Sequence, residues 1–166
     1  MRRLFLTGIC LLPLILFGFA TDAIASTNSR ENGERSVFKT RLAGANEFPA
    51  KPSSDLRGTA RITIDLEKNV LCWNLQYRTA TQHVTAAHIH VGDAGVSGPV
   101  VFGFFNPPPA SAPFPNKGCR SGTPTLLKAI AGNPRHYYVN VHTTLYPGGA
   151  ARGQLRGRGE SEGGDD

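Results

Sequence analysis

The sequence predicts an all-β fold, a sandwich of about seven short antiparallel strands with one short helix. Apolar and polar residues alternate with a period of two along several segments, as in strands that cover a core with one face. Turns rich in glycine and proline separate these segments, and the chain holds 19 glycines and 12 prolines. No segment repeats at a fixed period, so the chain contains one copy of one unit.

The N-terminus has the pattern of a secretory signal peptide. Met1-Arg2-Arg3 precedes an uncharged apolar run, and Ala23-Ile24-Ala25 forms a small-x-small cleavage site. We therefore predict a signal peptide over residues 1–25 and a secreted or periplasmic protein without a stable membrane anchor after cleavage. Two alternatives stay open: an uncleaved anchor, because the apolar run almost spans a bilayer, and twin-arginine export through Arg2 and Arg3.

The remaining chain is predicted to hold one domain over residues 38–156. Residues 26–37 are polar and lack periodicity, which is typical of a flexible leader. Residues 157–166 are polar and rich in glycine, so we predict a disordered tail there. The first strand begins near Phe38 and ends at a turn.

A hairpin over residues 58–66 and 70–78 is the clearest element of the domain. Both strands alternate strictly, and a polar turn at residues 67–69 joins them. We expect Trp73 to be buried between sheets, because it lies on the apolar side of the second strand. The two apolar faces comprise Ala60, Ile62, Ile64 and Leu66, and Leu71, Trp73, Leu75 and Tyr77.

The second half of the domain is predicted to contain four further strands and the helix. Thr123 and Pro124 supply a cap and a first-turn proline for this helix, which ends before residues 132–134. A proline-rich segment over residues 106–122 is predicted as a long loop. The predicted strands cover residues 86–92, 99–105, 137–143 and 150–155.

Two of these strands carry histidine. His88 and His90 lie two residues apart and therefore share one face of their strand. In the strand over residues 137–143, Tyr138, Asn140 and His142 share a face in the same way. If the two strands are neighbours, three histidines and an amide gather on one surface.

This surface has three possible roles. His88, His90 and His142 could bind copper or zinc, since neutral imidazole suits both ions. Alternatively, the imidazoles could fix backbone, with His88 or His90 supporting the glycine loop over residues 92–98, and Tyr138 and Asn140 acting likewise. An acid/base role is the third. The structural role is the preferred interpretation, and His83 and His136 are expected to be solvated.

Cleavage of the signal peptide would leave two cysteines, Cys72 and Cys119. An even pair in an exported chain indicates a disulfide bond, which would add about 4 kcal/mol through loop-closure entropy. Two separate buried thiols are the alternative.

The charge pattern and the missing motifs limit the function. The net charge is +6, but the basic residues are scattered along the sequence, which indicates a solvated face and no nucleic-acid partner. No Gly-x-Ser-x-Gly motif is present, and no two carboxylates suggest an acid/base pair. We therefore predict neither an enzyme nor a catalytic residue.

Five segments, taken in order, resemble the CHRD domain, the module repeated in chordin. The resemblance covers residues 38–156 and implies an immunoglobulin-like β-sandwich. Together with the residues above, it predicts an exported, non-enzymatic binding or envelope module without a cofactor, with an extracellular or envelope protein as partner. The alternative is a small copper or zinc protein using His88, His90 and His142. The segments are LAGANEFP, TAAHIH, GPVV, YYVNVHT and YPGGAARGQL.

Overall fold

A computed structural model describes residues 35–80, 83–104 and 116–157, in which eight antiparallel strands form one curled sheet. The all-β prediction is confirmed, and the two layers expected of a sandwich are two parts of this sheet. Its strand order is β5-β4-β7-β8-β1-β2-β3-β6. The strands are β1 (Arg35–Ala43), β2 (Arg57–Asp65), β3 (Val70–Arg78), β4 (Val84–Val91), β5 (Val100–Gly103), β6 (Lys117–Ser121), β7 (Tyr137–Thr143) and β8 (Ala151–Gln154).

The predicted hairpin is strands β2 and β3, paired without interruption from Arg57 with Arg78 to Asp65 with Val70. Strict alternation places every second side chain in the core, because successive side chains of a strand point to opposite faces. The turn closes at Asn69, which has a φ of 53°.

The first strand begins earlier than predicted. Strand β1 starts at Arg35, which lies opposite Asp65, so residues 35–37 of the predicted leader belong to the sheet. Arg35 and Ser36 are polar, so the sequence gives no apolar signal for the first part of this strand. The predicted signal peptide, the rest of the leader and residues 158–166 of the predicted tail lie outside the described residues.

A strand that the sequence did not predict lies inside the predicted loop over residues 106–122. Strand β6 pairs with β3 and places Gly118 opposite Trp73 and Cys119 opposite Cys72. The segment KGCRS has no apolar alternation, which is why it reads as a loop. Glycine is needed at position 118, since a Cβ there would lie 2.5 Å from the Trp73 ring.

The predicted disulfide bond between Cys72 and Cys119 is present. It joins directly opposed residues of two neighbouring strands, β3 and β6. The bond therefore fastens the edge strand to the sheet.

Helix α1 (Pro124–Gly132) confirms the predicted helix and its cap. The hydroxyl of Thr123 accepts a hydrogen bond from the amide of Leu126, which satisfies one of the free amides of the first turn. The helix buries Leu127 and Ile130 in the core. Among the described helices, none has the length and apolar character that a membrane span requires.

The core fills the inside of the curl. Trp73 is buried as predicted, with 5% of its surface exposed, and stacks on Phe104 with ring centroids 5.1 Å apart. It packs within the curl of one sheet instead of between two separate sheets. The core also includes Ile62, Ile89 and Val139, so strands from both halves of the sheet contribute to it.

The other face of the sheet, here called the outer face, is open at one end of the sheet and covered at the other. Along β1, β2 and β3 it is open, and residues such as Lys39, Arg61 and Gln76 are exposed. Along β7 and β8 it is covered, so that Asn140 and Arg152 are buried although they do not face the core. The histidines lie under this cover.

Candidate metal centre

Strands β4 and β7 are neighbours, and their register brings the histidines together. His88 lies opposite Asn140, and His90 lies opposite Tyr138. His142 follows Asn140 by two residues and shares its face. The five side chains that the sequence placed on two strand faces therefore lie on one surface.

The three imidazoles converge. The centroid of the His88 ring lies 5.0 Å from that of His142 and 5.8 Å from that of His90, and His90 and His142 are 6.1 Å apart. Each histidine offers one nitrogen such that all three lie within 4.8 Å of one another. The closest pair is His88 Nδ1 and His142 Nε2, 3.3 Å apart.

The outward nitrogens of two rings contact backbone carbonyls. His90 Nδ1 lies 2.9 Å from the carbonyl oxygen of Gly98, and His142 Nδ1 lies 2.9 Å from that of Pro147. A carbonyl only accepts, so both Nδ1 atoms carry the proton and both Nε2 atoms are unprotonated. These contacts match the structural role and also orient the rings as a second shell orients metal ligands.

The Nε2 atom of His90 has no hydrogen-bond partner, although it is buried. Its ring is held in place, because it stacks on Tyr138 with centroids 4.9 Å apart and planes 12° from parallel. A buried lone pair without a partner costs free energy, so such an atom in a native protein requires a partner such as an ordered water, a ligand or a bound ion.

All three histidines are held neutral. Burial, together with the smaller effects of the neighbouring His142 and His90, lowers the pKa of His88 to about 4. Burial also lowers the pKa of His90, against the hydrogen bond to Gly98, and that of His142, against the hydrogen bond to Pro147. Neutral imidazole is the form that binds a metal ion.

A buried carboxyl group lies beside this surface. Glu47 is only 5% exposed, and its Oε2 accepts a hydrogen bond of 3.4 Å from Asn140 Nδ2. Burial raises the pKa of Glu47 to about 7, opposed by the charge of Arg152 and the bond from Asn140. The Oε1 of Glu47 and the Oδ1 of Asn140 are both buried without a partner.

Arg152 ties the cover to the sheet. Its guanidinium lies over the Tyr138 ring, 3.4 Å from the centroid, and donates to the carbonyl oxygens of Val96 and Asp93 at 2.8 and 2.6 Å. Because it is buried, its charge has to be compensated, and Glu47 lies close enough to interact with it electrostatically.

Three loops form the cover, and we call them the roof: residues 44–49, 92–99 and 144–149. Ser97 Oγ donates to the carbonyl of Phe48 at 2.6 Å and so joins the first two loops. Gly149 in the third loop has a φ of +139°, and a Cβ there would lie 2.6 Å from Glu47 Oε2. Glycine is therefore needed where the third loop passes the carboxyl group.

Two members of the site were not predicted from the sequence. Glu47 and Arg152 stand in segments that resemble the CHRD domain, but neither was assigned a role, because a charged residue near a turn or in a strand reads as exposed. His83 is exposed, as expected, and is not one of the three clustered histidines. His136 is partly exposed and its Nδ1 lies 2.7 Å from Asp93 Oδ1, so it holds a loop contact that was not predicted.

The arrangement combines nitrogen lone pairs with oxygen acceptors in a partly buried site. His88, His90 and His142 could act as ligands of a cation, which leaves a further coordination position open. Glu47 and Asn140 could accept hydrogen bonds from a group that enters this position. The site residues thus fit a bound ion, and their contacts with the roof also stabilise the fold.

Comparison with protein families gives one match. The family model of the CHRD domain matches residues 38–155. No match was found among curated proteins or among solved structures.

Proposed function

The chain belongs to the CHRD domain family, and on this premise we propose that it is an exported, non-enzymatic binding module that holds a copper or zinc ion. Membership of this family supports a non-enzymatic module. The proposed ligands are His88, His90 and His142. The metal ion would then be the bound species that the sequence analysis did not identify.

One observation carries the proposal: the buried, unpartnered Nε2 of His90 in a cluster of three convergent imidazoles. Hydrogen bonding alone does not account for this atom, because its ring is already fixed through Nδ1 and through the stack on Tyr138. A cation beside His88 and His142 would satisfy it. The structural role explains the outward nitrogens of His90 and His142 but leaves this inward one without a purpose.

The separation of the histidine nitrogens suits a metal ion bound by three histidines. Bonds of about 2.0–2.1 Å place the ligand nitrogens of tetrahedral zinc roughly 3.3 Å apart. The pair His88 Nδ1 and His142 Nε2 already has this separation. Without an ion, His88 donates to His142; with an ion, His88 would carry its proton on Nε2 and turn the Nδ1 lone pair inward.

Export is the second part of the proposal. The disulfide bond between Cys72 and Cys119 supports it, because such bonds persist in oxidising compartments and are rare in the cytosol. The pattern of residues 1–25 supports it independently. Mass spectrometry of the protein recovered outside the cytoplasm should find Ser26 as the first residue, and a chain that keeps Met1 would contradict cleavage.

Metal titration tests the binding function. Protein stripped with a chelator and dialysed should bind one copper or zinc ion per chain at micromolar or lower concentration. His142→Ala should abolish binding, because it removes one of three ligands. His83→Ala is the matched control, since His83 is exposed and is not one of the three clustered histidines, and it should bind as the wild type does.

The fold has to be checked in each variant by circular dichroism and thermal unfolding. If His142→Ala does not fold, His88→Ala replaces it, because among the described residues His88 makes no hydrogen bond to the roof. A wild-type protein that binds neither ion, or ligand variants that bind as well as His83→Ala, would leave only the structural role for the histidines.

A further inference from the structure

The open part of the outer face collects positive charge that is dispersed in the sequence. The register places Lys39 opposite Arg61, and Arg61 opposite Asn74 of the third strand. Arg41 lies in the next row. Because alternate residues share a face, cations spaced two apart along one strand stand beside those of its neighbour. Basic residues that read as scattered therefore form a cluster.

This cluster lines a cavity of about 510 Å³. Four cationic side chains and two amides form its walls, so the lining is rich in hydrogen-bond donors. It contains no aromatic residue and no carboxylate. The six polar or charged residues that matter here are Lys39, Arg41, Arg61, Arg156, Asn74 and Gln76.

Little negative charge on the same strands opposes this field. The only acidic residue in β1, β2 and β3 is Asp65, at the end of β2. Its carboxylate accepts bonds from the backbone and the ammonium group of Lys68, both 3.0 Å long. Arg57 and Arg78, opposite each other at the other end of the hairpin, extend the positive surface beyond the cavity.

We propose that this cavity binds a linear polymer of tetrahedral oxyanions, that is, of phosphate or sulfate groups. Guanidinium groups match such oxyanions with two parallel hydrogen bonds, and the lysine adds a point charge. Strands are about 4.8 Å apart and alternate residues about 6.8 Å apart, so the cations form a grid that an extended polyanion can follow. A single free phosphate would meet only one or two of them.

Two features favour such a polymer over single-stranded nucleic acid. Proteins that bind nucleic-acid strands stack bases on aromatic side chains, and the cavity wall has none. The amides of Asn74 and Gln76 can contact hydroxyl or oxyanion groups but provide no stacking surface. The metal centre contributes no residue to this site, so the two proposals stand or fall separately.

Binding of fluorescent long-chain polyphosphate and of dextran sulfate, measured with chelator at about 0.1 M salt, tests the proposal. The double variant Lys39→Gln/Arg61→Gln should weaken binding at least about tenfold, since charge-assisted contacts are lost. The matched control Lys51→Gln/Lys128→Gln removes the same net charge at exposed positions outside the cavity and should change affinity less than about threefold. Rising salt should weaken binding steeply.

Each result of this experiment either supports or overturns the proposed binding site. Loss of binding in the cavity variant alone supports the site, and the tighter of the two polymers identifies phosphate or sulfate as the source. Equal weakening in both double variants would show attraction to net charge only and would overturn it. Absence of binding, or tighter binding of oligothymidylate of equal charge, would overturn it too. If the double variant unfolds early, Arg61→Gln alone serves in the same comparison.

Discussion

The outer face of the sheet is exposed to solvent in one half of the molecule and covered by loops in the other. Along β1, β2 and β3 the face is open, and its polar side chains meet water. Along β4, β7 and β8 the roof covers it, and polar side chains such as Asn140 and Arg152 are buried. The comparison teaches that the alternation of a strand fixes which residues leave the core, but not whether they reach solvent.

The largest loss of stability is expected in the core beneath the open end of the sheet. Trp73→Ala should lower the free energy of unfolding by about 3–5 kcal/mol, because it empties the space between Phe104 and the edge strand. Urea unfolding measures the loss. A cost under about 1 kcal/mol would mean that the roofed end carries the stability of the whole sheet.

The disulfide bond is the second test of the open end, which lacks a roof. Replacing Cys72 and Cys119 together by serine should cost about 2–4 kcal/mol, because the unfolded chain gains freedom. The readout is the midpoint of urea unfolding, compared with that of the unmodified protein. Free thiols in the unreduced protein, found by titration, would contradict the bond itself.

A matched pair of glutamines compares the two ends directly. Gln154 donates to the carbonyl of Gly92 at 2.8 Å and so holds the roof, whereas Gln76 is exposed on the open face. Gln154→Ala should cost about 1–2 kcal/mol and Gln76→Ala about 0.5 kcal/mol or less. Thermal unfolding measured side by side tests this. Equal costs would show that the roof adds nothing beyond a solvated surface.

The smallest net effect concerns pH, because two contributions oppose each other in metal-free protein. Folding raises the pKa of Glu47 from 4.5 to about 7, so the native state binds more protons and stability falls as pH rises through that window. Folding lowers the pKa of His88 from 6.5 to about 4, so stability falls as pH drops through that window.

Glu47→Gln should separate the two contributions. Without the carboxyl group, the variant should gain stability more steeply than the wild type between pH 4.5 and 7. Urea midpoints across this range, taken with chelator, give the slopes. Parallel profiles for the two proteins would show that Glu47 does not titrate in the folded state.

The strands of the open end were predicted well because apolar and polar residues alternate in them with a period of two. Residues 70–78 alternate so strictly that the inward face of the strand and the burial of Trp73 follow from the pattern. Strand β6 could not be predicted in this way, since Gly118 serves the ring opposite it and leaves no apolar signal. The need for glycine at a position can be recognised only when the side chain that packs against it is known.

The site was predictable in part for the same reason. Parity placed His88 with His90, and Tyr138 and Asn140 with His142, but their meeting needed the pairing of β4 with β7. Glu47 comes from a loop far away in the sequence, and Arg152 from a third strand, so no local pattern links them. Burial of charged residues arises from the roof, which depends on long-range contacts.

The position of β8 also bears on when the domain can fold during synthesis. This strand, near the end of the chain, lies between β7 and β1, and Arg152 pairs with Ala43 from near the start. The hairpin and its neighbours can form early, but the sheet stays divided in two until residues 151–154 have emerged. The native fold is therefore reached late in synthesis, after the strand that joins its two halves has been made.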